Sequence, residues 1–523
     1  MKVKTEQTHE KSFFRQLILD SKQIYRLQFG IASCDNQKSK ELSCICRVRG
    51  TALLLYVIML LDMKNIVIPK RYKSIIDKII TTAKENNFDT YVVGGFVRDL
   101  FIDREPKDLD IMVCTKKDST DKRLAGINFS KILANKYNLR EPVVFERFGT
   151  SKLFIDNEEV EFVMPRKEYY DSNSRNPETQ DSSSLKQDAL RRDFTINALF
   201  LRLSDMKVLD ITRQGLNDIQ NKIVRVTDTP CAEIIFKQDP LRILRAVRQS
   251  LQLNFSIECK TYNAMQVSAS RIKIVSSERV RDELDKILVE ENPSRAFMVM
   301  DNIDLLIEIL PEVSRLKNLE QPLKYHIDDV FTHSLKVLDR ARNDIILRMA
   351  TLLHDTGKYA TYKKGDNKIS FYGHDTKSAQ ETESILKRLK YSKEFIQKTV
   401  SVVKNHMYPR MYTDNWTDTA IRRFVKRCGN ELDAIMELSK ADYGQEEYGS
   451  DKKLIELNNR IEDLKSKNML YIKPKLLSGK ELMMALNKPA GKWIQEAKNK
   501  IEEMQIKNPA LTKEEILETI KIK

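Results

Sequence analysis

Tyr91-Val-Val-Gly-Gly-Phe-Val-Arg-Asp99, followed by Asp108-Leu-Asp110, is the stretch that decides how this chain is read. Tyr91 to Val93 is an apolar run suited to a buried strand. Gly94-Gly95 makes a tight turn, and Phe96 to Phe101 opens a helix. Asp108 to Val113 reads as the next strand. Alternate residues of a strand share a face, so Asp108 and Asp110 point the same way. Two carboxylates at that spacing can hold one or two Mg²⁺ ions. The glycines let a phosphate approach the backbone, and a helix N-terminus offers it free N–H groups. Strand, Gly-Gly turn and paired aspartates together suit nucleotidyl transfer. The plain alternative is a solvated Asp pair at a strand start.

Outward from this stretch, composition sets bounds. At 523 residues the chain is long enough for three or four domains. A net charge of +15 favours a polyanionic partner, because Lys and Arg neutralise phosphates and release counterions. Seven cysteines without a dense framework point to a reducing, cytoplasmic setting, and Cys44-x-Cys46 has no second pair at zinc spacing. The apolar run Leu53–Leu61 is too short to span a bilayer, so no membrane partner is expected. Residues 1–62 fit nothing downstream and read as a dispensable or mis-assigned extension. Residues 70–86 carry Ile75, Ile76, Ile79 and Ile80 at helical spacing. Leu153 to Val163 reads as a hairpin turning at Asp156-Asn157. Residues 171–187, rich in Ser, Asn, Asp and Gln, read as a mobile loop. From about 190 the pattern reads as helical.

Two further stretches carry chemistry. Arg191-Arg-Asp-Phe-Thr-Ile-Asn-Ala-Leu199 reads as a helix start. Arg192 can meet a triphosphate, and Asp193 and Asn197, one turn apart, can meet a ribose or each other; a helix start with an Asp near its positive end is the bland alternative. Gln238-Asp-Pro-Leu-Arg-Ile-Leu-Arg-Ala-Val-Arg248 begins another helix, with Pro240 suited to its first turn. Asp239 and Arg242 share a face, which alone means only a surface ion pair. Yet Asp only accepts hydrogen bonds and Arg only donates them. Cytosine and adenine each present an amino donor beside a ring-nitrogen acceptor, so one Asp–Arg pair can read either. Uracil and guanine place a carbonyl where Asp needs a donor, and unpaired polar groups in a closed site make that rejection strong. Arg245 and Arg248 continue near that face toward phosphates.

These pieces, in this order, resemble a class II tRNA nucleotidyltransferase (CCA-adding enzyme) of the poly(A) polymerase family, and the resemblance runs from about 66 to 523. Ser277-Glu-Arg-Val-Arg-Asp-Glu-Leu284 resembles the family's helix-capping motif. The family usually has an acidic residue before the base-reading Asp; here it is Gln238. The resemblance implies an α+β chain. Its mixed-sheet nucleotidyltransferase head is followed by an all-helical neck, body, HD domain and tail: 1–62 extension, 63–200 head, 201–320 neck and body, 321–450 HD domain and 451–523 basic tail. It implies Mg²⁺ on the catalytic Asp108 and Asp110, with Glu161 a candidate third acid and an exposed strand residue its alternative. Gly94, Gly95, Arg98, Asp99, Arg192, Asp193, Asn197, Asp239, Arg242, Arg245 and Arg248 form the nucleotide site. CTP, ATP and tRNA are the expected partners. A poly(A) polymerase, or an enzyme adding only CC or only A, is the nearest alternative; a non-catalytic RNA-binding protein is the alternative of another kind.

Five of the six histidines fall between 326 and 406. His333, His354-Asp355, His374, His406 and Asp442 resemble the ligand pattern of an HD-domain phosphohydrolase, which implies a divalent transition metal or Mg²⁺ and a metal-dependent hydrolase activity. His326 has no assigned role.

Overall fold

In a computed structural model the described residues are 66–115, 124–169, 178–181, 184–321, 328–365, 369–443, 450–467, 469–470 and 476–521. The chain separates into two units, 1–68 and Pro69–Lys523. The second carries all the elements below; residues 1–65 and His326 lie outside the described residues.

The head is built on α1 (Lys70–Glu85), β1 (Phe88–Val93), α2 (Gly95–Phe101), β2 (Leu109–Thr115), α3 (Ala125–Lys136), β3 (Val143–Phe145), β4 (Thr150–Ile155), β5 (Glu158–Val163), β6 (Arg166–Tyr169), β7 (Glu178–Asp181), α4 (Leu185–Arg191), β8 (Leu199–Arg202) and β9 (Lys207–Asp210). Seven strands form one sheet in the order β3-β4-β5-β2-β1-β8-β9, and β6 pairs with β7 apart from it. All pairs in the large sheet are antiparallel except β2 with β5. Asp156 and Asn157 both take positive φ (50° and 69°), the two-residue turn whose twist suits a hairpin, so β4 and β5 meet where the sequence expects. On one sheet face α3 packs down, with Phe129 against Phe162 of β5 at 5.7 Å. On the other, Tyr91, Val93, Met112 and Phe200 bury with Ala189 of α4.

Three expectations are corrected here. The helix expected to open at Arg191 instead ends there: Arg192 is extended, Thr195–Asn197 is a single 3₁₀ turn, and β8 starts at Leu199. Asp193 and Asn197 are held by partners from another part of the chain, and β8 pairs with β1, so tertiary contacts override local preference. The helical character expected from 190 starts only after β9, so a head boundary at 200 cuts through β8. Leu199-Phe-Leu201 is a short buried apolar run, which periodicity alone cannot assign to strand or helix. The loop expected over 171–187 contains β7 and the start of α4 where it is described; residues 170–177 and 182–183 lie outside the described residues.

The rest is mainly helical, broken by two small strand pairs, Ile223–Val224 with Ser256–Ile257 and Lys363–Lys364 with Ile369–Ser370, so the expected all-helical remainder is corrected to this extent. The helices are α5 (Gly215–Gln220), α6 (Ala232–Gln238), α7 (Leu241–Leu253), α8 (Cys259–Ser268), α9 (Ser277–Leu288), α10 (Ser294–Asn302), then two single turns, α11 (Leu306–Ile309) and α12 (Pro311–Ser314). α13 (Val330–Arg340), α14 (Ile345–Leu353), α15 (Lys358–Thr361), α16 (His374–Arg388), α17 (Lys393–Asn405), α18 (Asp418–Cys428) and α19 (Leu432–Tyr443) follow, ahead of α20 (Ser450–Ser466), α21 (Gly479–Leu486), α22 (Trp493–Lys507) and α23 (Lys513–Lys521). Val337, Leu347, Val402, Phe424, Ile435 and Leu457 share one core that joins α13 to α20. Buried Arg422 of α18 donates to the carbonyls of Met469 and Ile506, fastening the tail to this core. Among the described residues no helix is long and apolar enough to cross a membrane.

Candidate active site and candidate metal centre

β1 ends at Val93, and Gly94 then takes φ 79° and ψ −147°, a conformation open in practice only to glycine. That turn starts α2 directly beside β2. A Cβ on Gly94 would lie 3.6 Å from Arg192 Nη1 and 3.7 Å from Asp110 Oδ2, so the turn, the arginine and the aspartate converge. Strand register places Asp110 opposite Glu161 of β5. The candidate third acid is therefore a cross-strand neighbour of the aspartate pair. Burial first, then the Glu161 and Asp108 carboxylates, push Asp110 up to about 6, against the pull of Arg192. A cluster of carboxylates, half-buried at Asp110 and Glu161 and exposed at Asp108, has the donor set for a hard cation such as Mg²⁺.

A cleft of about 1130 Å³ opens over this point. All eleven expected nucleotide-site residues line it, together with Asp108 and Asp110. Their contacts divide them into two sets. Asn197 is a buried hub: it accepts from Arg98 (2.8 Å) and donates to Asp193 and to Gln249 of α7 (both 3.0 Å). Asp99 holds Arg98 at 2.8 Å, and Arg245 clamps Asp193 through two bonds at 2.6 and 2.9 Å. Burial works against the Asp193 charge, but Arg245, Asn197 and Arg242 outweigh it and hold the carboxyl at about 2. Asp99, Arg98, Asn197, Asp193 and Arg245 thus form one bonded chain that braces the cleft. Arg248 is likewise bound to Glu283 at 2.7 Å.

The base-reading pair keeps atoms open. Asp239 and Arg242 do not bond through their side chains. Asp239 receives Arg279 at 2.9 Å and the Leu241 N–H at 3.2 Å. Arg242 is 7% exposed and donates from Nη2 to the Arg191 carbonyl at 2.6 Å, while its buried Nη1 has no partner among the described residues. An unsatisfied buried donor is costly unless a ligand completes it.

Arg279, Glu283, Gln249 and Asp188, which pairs with both Arg191 and Arg192, were not singled out in the sequence. Arg279 and Glu283 lie in the Ser277–Leu284 motif, but not as caps: Ser276, the N-cap residue, makes no side-chain cap bond. The motif's service is to brace Asp239 and Arg248 from α9.

A second cluster lies in the helical region. His333 of α13 meets Asp442 of α19 at 2.8 Å; His354 Nε2 lies 3.2 Å from Asp355, and His374 Nε2 lies 3.5 Å from it. His406 sits between, its ring 5.2 Å from that of His354 and 5.3 Å from that of His374. His354, His374 and His406 each bond through Nδ1 to the carbonyl three residues earlier, which aims Nε2 inward. Among the described residues the Nε2 atoms of His374 and His406 are buried without hydrogen-bond partners, Asp355 Oδ2 is shared by His354 Nε2 and Lys358, and candidate ligand atoms fall in two groups, His333–His354–Asp442 and Asp355–His374–His406. Buried nitrogens fixed in tautomer beside carboxylates fit a transition-metal centre. Gly357 makes the geometry feasible: a Cβ there would fall 2.4 Å from the Ser378 nitrogen and 2.6 Å from the His374 carbonyl. The turn after His354-Asp355 therefore lies against α16, which starts at His374. Lys358 reaches Asp355 at 2.7 Å, and Arg410 pairs with Asp442.

Comparison with known proteins follows the same division. Residues 90–225 match the poly A polymerase head domain, 254–316 the RNA and SrmB-binding site of polymerase A, and 365–520 the tRNA nucleotidyltransferase domain 2. The A-adding tRNA nucleotidyltransferase of Deinococcus radiodurans is 32% identical over 326 residues, 59% of this chain and 72% of that protein. The chain belongs to the class II tRNA nucleotidyltransferase family. The CCA-adding enzyme of Staphylococcus epidermidis is 28% identical over 447 residues, covering 84% of this chain and 96% of its own. The CC-adding tRNA nucleotidyltransferase of Thermus thermophilus is 27% identical over 442 residues, 82% and 92%. The fold is that of the Bacillus stearothermophilus CCA-adding enzyme solved with CTP: TM-score 0.62, 21% identity, 87% of this chain and 97% of that one. Family members thus differ in which nucleotides they add.

Proposed function

We propose that this tRNA nucleotidyltransferase adds C, C and A in turn to the 3′ end of tRNA, using CTP and ATP and no nucleic-acid template. The observation that carries this reading is the open Arg242 Nη1 beside Asp239, in the same cleft as the Asp108–Asp110 pair. Arg242 donates to the ring nitrogen, and Asp239 accepts from the exocyclic amine. Cytosine and adenine share that pattern, so one pair serves both and favours full CCA addition over addition of C or A alone. Arg279 and the Leu241 N–H hold Asp239, and the Arg191 carbonyl holds Arg242, so the pair is set before the base arrives. The Gly94-Gly95 turn admits the triphosphate against backbone, and Arg98 and Arg192 face its charge. When bound, Mg²⁺ on Asp108, Asp110 and Glu161 lowers the pKa of the RNA 3′-hydroxyl and offsets charge on the leaving pyrophosphate. The remaining work falls to orientation, which keeps the 3′-oxygen in line with the α-phosphorus. Arg242→Ala tests the base-reading step. The account expects UTP and GTP to gain relative to CTP and ATP; unchanged selectivity in single-nucleotide incorporation would sink the assignment.

A second reading is supported by the buried, unpartnered Nε2 atoms of His374 and His406 beside the Asp355 carboxylate. The His333–Asp442 cluster is an HD-type centre that holds a divalent metal, with Ni²⁺, Mn²⁺, Co²⁺, Zn²⁺ or Mg²⁺ as candidates, and hydrolyses phosphate esters, 2′,3′-cyclic phosphates among them. The metal, when bound, supplies an activated water. Turnover of 2′,3′-cAMP with Ni²⁺ or Mn²⁺, lost in Asp355→Ala, is the expected result; no turnover by the native chain refutes it.

A further inference from the structure

The catalytic face of the head sheet continues beyond the carboxylates. Strand register sets Val93, Asp110, Glu161, Lys152 and Val143 in one row across β1, β2, β5, β4 and β3. Residues in a row share a face, and so do residues two positions along each strand. Phe145 and Phe154 therefore stand on the face of Asp110. Over β1 and β2 that face is covered, with Tyr91, Val93 and Met112 buried beside Ala189. Over β4 and β3 it is bare: Val143 is 55% exposed, Phe145 42% and Phe154 56%. Phe148, 49% exposed, follows β3 and lines the cleft itself. Single exposed hydrophobics need no explanation, but a patch of them beside an active site does.

In-line attack says what comes over this patch. The RNA 3′-oxygen and the departing pyrophosphate must lie on opposite sides of the α-phosphorus. The groups that face the triphosphate come from one side of Asp110: Gly94 and Gly95 follow β1, Arg98 lies on α2, and Arg192 precedes β8. Strand order puts β5, β4 and β3 on the other side. Asp110 to Val143 is three strand spacings, about 14 Å, longer than one base at stacked spacing. The patch is close to neutral. Lys152 is paired with Glu159 at 2.5 Å, and Arg147 lies over the Phe148 ring at 5.8 Å with Glu146 alongside in sequence. Such a surface suits bases rather than phosphates.

We propose that Phe145 and Phe154, with Val143 and Phe148, form a stacking platform for the last bases of the RNA being extended. Every base has a π-face, so aromatic stacking tolerates any sequence. That tolerance is what template-free synthesis needs, because the terminal base changes after each addition. The proposal rests on nucleotidyl transfer to RNA as set out above.

The test uses the full chain with Phe145→Thr, Phe154→Thr, Phe154→Leu and Phe154→Tyr. Both positions of change are exposed, and Thr suits a strand. KM is measured for tRNA lacking CCA and, separately, for CTP, with oligomeric state followed by light scattering. The Thr and Leu variants are expected to raise KM for tRNA about five-fold or more with KM for CTP unchanged, while Tyr keeps the native value. An unchanged KM for tRNA, or an equal rise in the Tyr variant, overturns the platform. A change of oligomeric state in the Thr variants overturns it too and assigns the patch to self-association. Failure of the native chain to extend any RNA would instead refute the reading on which the platform rests.

Discussion

Asp110→Asn should make the metal-free head more stable while abolishing nucleotide incorporation. The structure supplies the size of the effect. Asp110 is raised from 3.8 to about 6, so keeping it ionised in the fold above pH 6 costs about 3 kcal/mol. The native state binds this proton more tightly than the unfolded chain does. The stabilising contribution of the neutral carboxyl is therefore fully present below about pH 4 and is lost as pH rises through 6. Asn imitates the neutral form at every pH. In EDTA at pH 7.5 the variant should therefore gain up to about 3 kcal/mol over the native chain, and the gain should vanish toward pH 4. Backbone amide exchange at Ile111 and Val113 of β2 reads this locally, which matters in a chain of several cooperative units. Exchange should slow by up to about a hundredfold at pH 7.5. Added Mg²⁺ should protect the native chain and leave the variant unchanged. Equal or faster exchange in the variant at pH 7.5 would refute the electrostatic account of the carboxylate cluster.

Two further substitutions test the bracing. Glu283, 3% exposed, holds Arg248 at 2.7 Å and lies 3.8 Å from Arg245, so Glu283→Gln leaves buried cations short of a counter-charge. A loss of about 3 kcal/mol in chemical denaturation is expected, with KM for CTP raised; native-like values for both would remove α9 from the site. Gly357→Ala forces the turn after His354-Asp355 away from α16. Calorimetry should then show Ni²⁺ binding lost at the histidine cluster while CMP incorporation persists, and retained Ni²⁺ binding would contradict the close-packing argument.

The sequence disclosed what depends on local chemistry. The Gly94-Gly95 turn, the Asp108–Asp110 spacing and the Asp156-Asn157 hairpin each follow from backbone preferences within a few residues. The histidine cluster was legible through scarcity, since a chain with six histidines has little reason to crowd five of them. What stayed hidden depends on distance along the chain. Leu199-Phe-Leu201 becomes a strand only because β1 offers an edge to pair with. Glu161 gains its meaning from a register between β2 and β5 that no spacing announces. Arg279 and Glu283 sit on a helix whose sequence suggested a cap, and their partners are 35 to 40 residues away.

The most direct test of the central claim is to incubate the full chain with tRNA ending at the discriminator base, CTP, ATP and Mg²⁺, and to sequence the new 3′ ends. The account predicts termination at CCA, with neither U nor G incorporated when all four nucleotides are supplied. Ends that stop at CC, gain a lone A, or run on into poly(A) would contradict it.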